Sequence, residues 1–475
     1  MKPQEVLLRV AQPLGDAVSI VDGRGVRVLD ASRVRQSIES IVRTAAFAPE
    51  PDRGLARWLI RALALEMGAI PASIHDLYLA RGQGQVRDDF TVPAMNLRAL
   101  SFHAARAVFR AARALDAGAF IFEIARSEIG YSDQRPGEYA SSILGAAIAE
   151  GFQGPVFIQG DHFQVSAKRY VDKPEAEVQA VGDLAKEAIR AGFFNIDIDT
   201  STLVDLSKPS IPEQQRLNFT LCAELTAEIR QLQPPGVTIS VGGEIGEVGG
   251  KNSTEPELRA FMDGFNDTLR GLKPQAAGLS KISIQTGTSH GGVVLPDGSI
   301  AQVKVDFDTL RRLSKLAKEA FGLAGAVQHG ASTLPEEAFM RFAEAGACEV
   351  HLATNFQNML YDRLPEPLRH EMYTYLDQNF AGERKSDMTD EQFHYKTRKQ
   401  AIGPFKKQLW DLDATALAAI ESAWENQFRL LFERLNVRGT TAEVQRTVRP
   451  AKVMPRLGDY AAELAAGEEA GDLAD

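Results

Sequence analysis

The sequence predicts an α/β fold: a (β/α)8 TIM barrel with an added N-terminal segment and a helical C-terminal extension. Three observations predict it. From Thr91 onward, eight short apolar runs alternate with amphipathic helical patterns. Several of those runs end in acidic residues or histidine, where a barrel of this kind keeps its active site. At 475 residues, 44% hydrophobic and 24% charged, the chain can bury one barrel core and further helices without covalent staples. An open doubly wound sheet is the competing reading, and strand counting alone does not separate the two.

Residues 1–90 form a separate segment. VSIVDGRGVRVLD reads as a hairpin about Asp22-Gly23-Arg24-Gly25, with helical patterns near 31–47 and 53–67 and a Gly-rich boundary, RGQGQ, at 81–85. The barrel spans 91–362, with strands at 91–96, 119–125, 155–161, 195–199, 238–244, 281–287, 324–330 and 348–354. EAEVQAVGDLAKEAIRAG (175–192) is one of the helical patterns between them. VLPDGSI reads as a hairpin inserted after the sixth strand. Residues 363–475 form the helical extension, which carries the basic, aromatic-dotted run HYKTRKQAIGPFKKQLW (394–410) and ends in an acidic stretch of small residues.

The balance of charge and cysteine excludes several classes. Sixty-three acids against 53 bases give a net charge of -10, which disfavours a nucleic-acid partner. Two cysteines, Cys222 and Cys348, do not make a disulfide framework. The opening residues lack the apolar core of a signal peptide, and no apolar run approaches a membrane span, so a cytoplasmic protein is expected.

Mapped onto the strands, the polar residues gather at the C-terminal ends. The third strand ends in Asp161-His162, the fourth in Asp199, the fifth in Glu244 and the seventh in His329, and His290 follows the sixth. Three of the eight histidines therefore fall at equivalent strand ends. Three neutral imidazoles suit Zn2+ or another divalent ion and leave a coordination position open. Against this stands the plainer reading of each histidine as a hydrogen-bonded loop residue. Asp197 and Asp199 share a strand face, so one can orient a histidine while the other approaches the metal, or Asp199 simply caps a turn. His351 lies inside the eighth strand, as core or as site; His75, His103, His370 and His394 receive no role. The loop VGGEIGEVGGKNSTEPE (241–257) reads as a weak phosphate signal or as a mobile loop carrying Glu247 or Glu255 to the reaction. The basic run Lys396–Lys407 reads as a solvated helix face or as a source of cations for a substrate phosphate, in its own or a neighbouring subunit.

Taken together, VPAMN, GDH, IDIDTS, GGEIGEVGG, GTSHGG and HGAS, in this order over residues 91–358, resemble the class II (metal-dependent) fructose-bisphosphate aldolase family. The resemblance implies that His162, His290 and His329 hold the metal, that Glu244 serves an alternative metal position, and that Asp199 lies near it. It implies that Asp161 is the acid/base acting on the substrate hydroxyl during carbon–carbon cleavage, with Glu255 the nearest acidic replacement on the fifth-strand loop. Gly291, Gly330 and Ser332 match phosphate-holding positions, and Asn96 lines the pocket. The implied reaction cleaves or forms a ketose phosphate such as fructose 1,6-bisphosphate, the metal polarising the ketone and stabilising the enediolate.

This chain departs from the family pattern in several places. Lys251 and Asn252 stand where acidic residues are common, and Val294 replaces a lysine. The eighth strand reads His351-Leu352-Ala353-Thr354 in place of Asn-x-Asp-Thr, so of the contacts to phosphate or a monovalent cation only Thr354 is kept. A homodimer or larger assembly is implied. The alternatives are a non-catalytic subunit stabilising a partner enzyme, and another metal-dependent barrel enzyme.

Overall fold

The computed structural model describes residues 3–21, 25–246, 251–287 and 304–461. The N-terminal hairpin pairs β1 (Val18–Val21) antiparallel with β2 (Gly25–Val28). Helix Ala31–Phe47 follows, its start capped by the Asp30 carboxylate, which accepts from the Ser32 and Arg33 amides. After helix Asp52–Met67 comes β3 (Ala69–Ala72), a strand too short to leave a periodic signal in the sequence.

Eight parallel strands then close on themselves. They are β4 (Val92–Asn96), β5 (Ile121–Ala125), β6 (Gly154–Gln164), β7 (Asn195–Asp199), β8 (Ser240–Glu244), β9 (Lys281–Ile284), β10 (Ala326–Gln328) and β11 (Glu349–Leu352). Each pairs with its sequence neighbour, and β11 pairs back onto β4. The closure decides for the barrel over the open sheet. All eight expected strands are present: six are shorter than expected, β7 has the expected bounds, and β6 runs on through Gln164, beyond the expected 155–161. The inserted hairpin, His290, Gly291, Val294 and Glu247 lie outside the described residues.

β3 lies beside the early part of β6, where β7 has not yet begun to pair. Asn195 seals this junction: its amide donates to the Ala72 and Ile158 carbonyls (3.1 and 3.0 Å) and its oxygen accepts from Ile74 N–H (2.8 Å). At the base of the barrel, the buried Arg81 guanidinium donates to five carbonyls, of Phe90, Asp88, Ala324, Gly346 and Ala347. An arginine with its hydrogen bonds so satisfied can be buried without a carboxylate.

The extension folds against the barrel. Helix Ala414–Arg434 lies along helix Ser101–Leu115, burying Trp424 and Phe428, and Trp424 Nε1 donates to the Phe356 carbonyl (3.0 Å). His103 Nδ1 meets Glu421 Oε1 at 2.8 Å across this seam. The basic run divides. Arg398 is buried, hydrogen-bonded to Asn358 and lying over the Tyr361 and Tyr395 rings, and Lys406 is held by Asp133 and Glu138. These two cations fasten the extension, which leaves Lys396 and Lys399 at the barrel mouth. Among the described residues, no helix is long and apolar enough to cross a membrane.

Candidate active site

In a regular strand, Asp161 and His162 would point to opposite faces. Here β6 carries one extra residue: Gly160 pairs with Ile196 but Phe163 pairs with Ile198. His162 takes up the irregularity with φ at 40°, in the left-handed region that non-glycine residues seldom enter. The bulge turns both consecutive side chains to one rim. Gly160 is what permits it, because a Cβ there would sit 2.4 Å from the buried Phe163 ring.

The His162 ring stands between two groups of ligand atoms. On one side its Nε2 faces His329 Nδ1 at 3.0 Å, with Asp161 Oδ1 3.8 Å away. On the other its Nδ1 meets Asp199 Oδ2 at 3.1 Å and Glu244 Oε2 at 3.2 Å. Tetrahedral zinc with bonds of about 2.0–2.1 Å would set two ligand nitrogens roughly 3.3 Å apart. The His162–His329 spacing therefore fits a shared divalent ion with only a small opening of the rings. The donor set of imidazole and carboxylate suits the same ions. Burial alone would lower the His162 pKa, but Asp161, Glu244 and Asp199 outweigh it and hold the imidazole well above its usual value. A metal ion needs the ring nitrogen deprotonated, so ion binding competes with the proton that these carboxylates favour.

Asp161 is buried and held from both sides. Its Oδ2 accepts from Asn96 Nδ2 (2.9 Å), and its Oδ1 faces His351 Nδ1 (3.0 Å). Burial would raise its pKa; the imidazoles of His162, His351 and His329 win and keep the carboxyl well below the ordinary range. Asn96 also donates to Glu128 Oε2 (2.9 Å), whose other oxygen accepts from Arg98 Nε (2.6 Å). Asp199 orients His162, as one reading of the Asp197/Asp199 pair expects. Asp197 turns instead to Lys281, whose Nζ lies 2.9 Å from its Oδ2.

Beneath the rim lies a charged layer that sequence reading did not assemble. Four alternate strands, β5, β7, β9 and β11, contribute Glu123, Asp197, Lys281 and Glu349, all buried. Alternate strands supplying one layer is the rule for such barrels, but the layer is ordinarily aliphatic. Lys281 Nζ binds Asp197, Glu349 and the Gln159 amide oxygen. Tyr78 donates to Glu349 from below. Burial is again outweighed, chiefly by Lys281, so Glu349 is drawn down to about 2. Gly242 makes room for the pair: a Cβ there would lie 2.3 Å from Asp197 Oδ1 and 2.9 Å from Lys281 Cε. The available signal was a charged residue inside an apolar strand, since each of IFEIA, KISI and EVHL carries one. Such a residue must find a partner within the barrel.

A cavity of about 880 Å³ opens above the rim. Asn96, Asp161, His162, His329, Gly330, Ser332 and Thr354 all line it, as does His351. Thr354 opens helix Thr354–Tyr361, and Ser332 Oγ accepts from the preceding Ala353 amide (2.7 Å). The far wall comes from the extension through Lys385, Met388, Tyr395, Lys396 and Lys399. Glu255 is not among the lining residues. It is exposed in the first turn of helix Glu255–Leu272, which Thr254 and Glu257 cap reciprocally, and its charge there complements the helix dipole. The catalytic role expected of Glu255 therefore has no geometric support among the described residues. His75 and His394, given no role, sit in structural settings: His75 is mostly buried, its pKa lowered to about 4 by burial and Arg230, and His394 pairs with Asp377.

A closed parallel barrel with imidazoles and carboxylates gathered at the C-terminal rim defines a barrel protein with a metal-competent centre. Residues 85–412 match the family described as fructose-bisphosphate aldolase class-II, and the chain belongs to that family. Among solved structures, the chain is similar to a probable tagatose 6 phosphate kinase from Sinorhizobium meliloti 1021 (16% identity, 79% of this chain and 98% of that one, TM-score 0.50). It is also similar to fructose-bisphosphate aldolase from Campylobacter jejuni (18%, 79% and 98%, TM-score 0.45) and to the YdjI aldolase from Escherichia coli K12 (14%, 73% and 99%, TM-score 0.40). These likenesses concern the fold. No curated protein sequence matches.

Proposed function

We propose that the protein is a divalent-metal-dependent aldolase that cleaves or forms a ketose phosphate. The observation that carries this reading is the convergence of His162, His329 and a buried, doubly held Asp161 on the floor of one cavity. His162 and His329 would hold the ion, with His290 as the third ligand implied by the sequence, and Glu244 and Asp199 would serve a position on the other side of the His162 ring. When bound, the ion supplies Lewis-acid polarisation of a ketone carbonyl. Asp161 takes the proton from the substrate hydroxyl as the carbon–carbon bond breaks, and returns it in condensation. Asn96 orients that carboxylate. An intact set of these groups supports catalysis over a purely scaffolding subunit.

A lysine Schiff base is the rival chemistry. Lys281 is unsuited to it: the amine is buried, bound to two carboxylates, and held above the usual lysine pKa. The deciding experiment is chelation followed by metal addition. Cleavage of fructose 1,6-bisphosphate or a related ketose phosphate is expected to vanish and return. Cleavage that persists through chelation, together with a borohydride-trapped adduct, would overturn the reading.

The cavity carries cationic groups suited to an anionic substrate. Gly330, Ser332 and the start of helix Thr354–Tyr361 form one polar end. At the mouth, Lys399 Nζ lies 5.6 Å from the Tyr131 ring centroid, and no carboxylate among the described residues pairs with it. Burial, aided by Arg98, lowers its pKa. A cation so placed gains most from an incoming anion. Lys399→Ala is expected to raise KM for a doubly phosphorylated ketose by about 10- to 100-fold. Steady-state kinetics should show no such rise for the analogue lacking the remote phosphate.

A further inference from the structure

The aldolase reading gives Asp161 a task but does not say what keeps its carboxylate aimed. His351 Nδ1 lies 3.0 Å from Asp161 Oδ1 and 3.3 Å from Glu123 Oε1. Its Nε2 lies 2.6 Å from Glu349 Oε1. The ring is buried, and its centroid is 4.1 Å from that of His329 and 6.5 Å from that of His162. With both nitrogens turned to carboxylates, His351 has no lone pair directed at the metal-competent centre. It lines the cavity together with Asp161 and His329.

The anchor below is rigid. Glu349 is held by Lys281, by Gln159 Nε2 (2.9 Å) and by Tyr78, so each oxygen has a donor. Gln159 Nε2 also donates to Glu123 Oε2 (2.8 Å). Freedom at the Asp161 end is thus removed by a chain of contacts running down through the barrel. The strand period places the parts: Glu349 and His351 are two apart on β11 and share its inner face.

We infer that His351 is a positioning residue for Asp161, locking the carboxylate in the rotamer from which it exchanges a proton with the substrate hydroxyl. The inference rests on the aldolase reading. It makes the buried layer of Glu123, Asp197, Lys281 and Glu349 a mount for the acid/base. Misplacement of a reacting group by about 1 Å can cost about 100-fold in rate.

The test separates two steps of one reaction. On the aldolase reading, exchange of the ketone product's C–H with solvent moves no hydroxyl proton and is expected to bypass Asp161, whereas cleavage of the ketose requires it. His351→Gln is expected to keep wild-type metal content and melting temperature, and to keep exchange and KM within about 3-fold, while cleavage kcat falls about 100-fold. Unchanged cleavage would overturn the inference, and so would a parallel fall in exchange and cleavage, or loss of metal. If His351→Gln does not fold, Glu349→Gln frees Nε2 from its charged anchor. It should show the same split, at about 10-fold, and equal effects on both steps would count against the proposal. A wild-type enzyme with neither exchange nor cleavage in the presence of metal would instead defeat the aldolase reading, and the assignment of His351 with it.

Discussion

The His162→Asn protein is expected to purify without a bound metal and to lose ketose phosphate cleavage by about 10³-fold or more, since metal polarisation supplies several kcal/mol of transition-state stabilisation. Among the described residues, His162 is the one ring that reaches both groups of ligand atoms, facing His329 with one nitrogen and Asp199 and Glu244 with the other. Its loss leaves the buried Asp199 and the half-buried Glu244 carboxylates side by side without their shared donor, which weakens the centre beyond the missing ligand. Asparagine is the better probe than alanine, because position 162 holds φ at 40° and asparagine tolerates that conformation. Elemental analysis of the purified variant, beside a cleavage assay with added metal, reads both effects. A variant that keeps stoichiometric metal would remove His162 from the ligand set.

For Asp161→Ala the expectation is the opposite pairing: full metal content, little change in KM, and a kcat lower by about 10²- to 10⁴-fold, the usual contribution of a positioned acid or base. The carboxylate is not needed to keep His162 and His329 facing each other, since that contact is direct. Its removal leaves Asn96 Nδ2 and His351 Nδ1 short of an acceptor, and Glu128 and Glu123 remain within reach to receive them. The fold should therefore survive the change. Metal analysis with steady-state cleavage kinetics checks the prediction. Near-normal turnover would show that some other group handles the hydroxyl proton.

The distances within the site explain why parts of it were legible and others were not. Asp161-His162, Asp199, Glu244 and His329 could be placed because a strand end is marked locally, by an apolar run giving way to polar residues and glycine. That both Asp161 and His162 reach the same rim could not be foreseen, because a regular strand sends them apart. The bulge that unites them depends on Phe163 lying over Gly160. His351 stood evenly between core and site since alternation gives its face but not its neighbours. Its partner Asp161 is 190 residues away in the chain. The basic run split between Arg398 and Lys406, which fasten helices, and Lys399, which faces the mouth. That division follows from docking and not from composition.

The sequence by itself determined the eight barrel strands, their alternation with helices and the family motifs, because period, caps and turn residues act over a few neighbours. Tertiary structure alone decided which inward-facing side chains share a layer: Lys281 with Asp197 and Glu349, His351 with Asp161, and the extension's lysines with the cavity. The physical reason is that a strand's two faces are set by its own pleat, whereas the height at which residues meet across a barrel is set by strand stagger and closure, which every strand settles together.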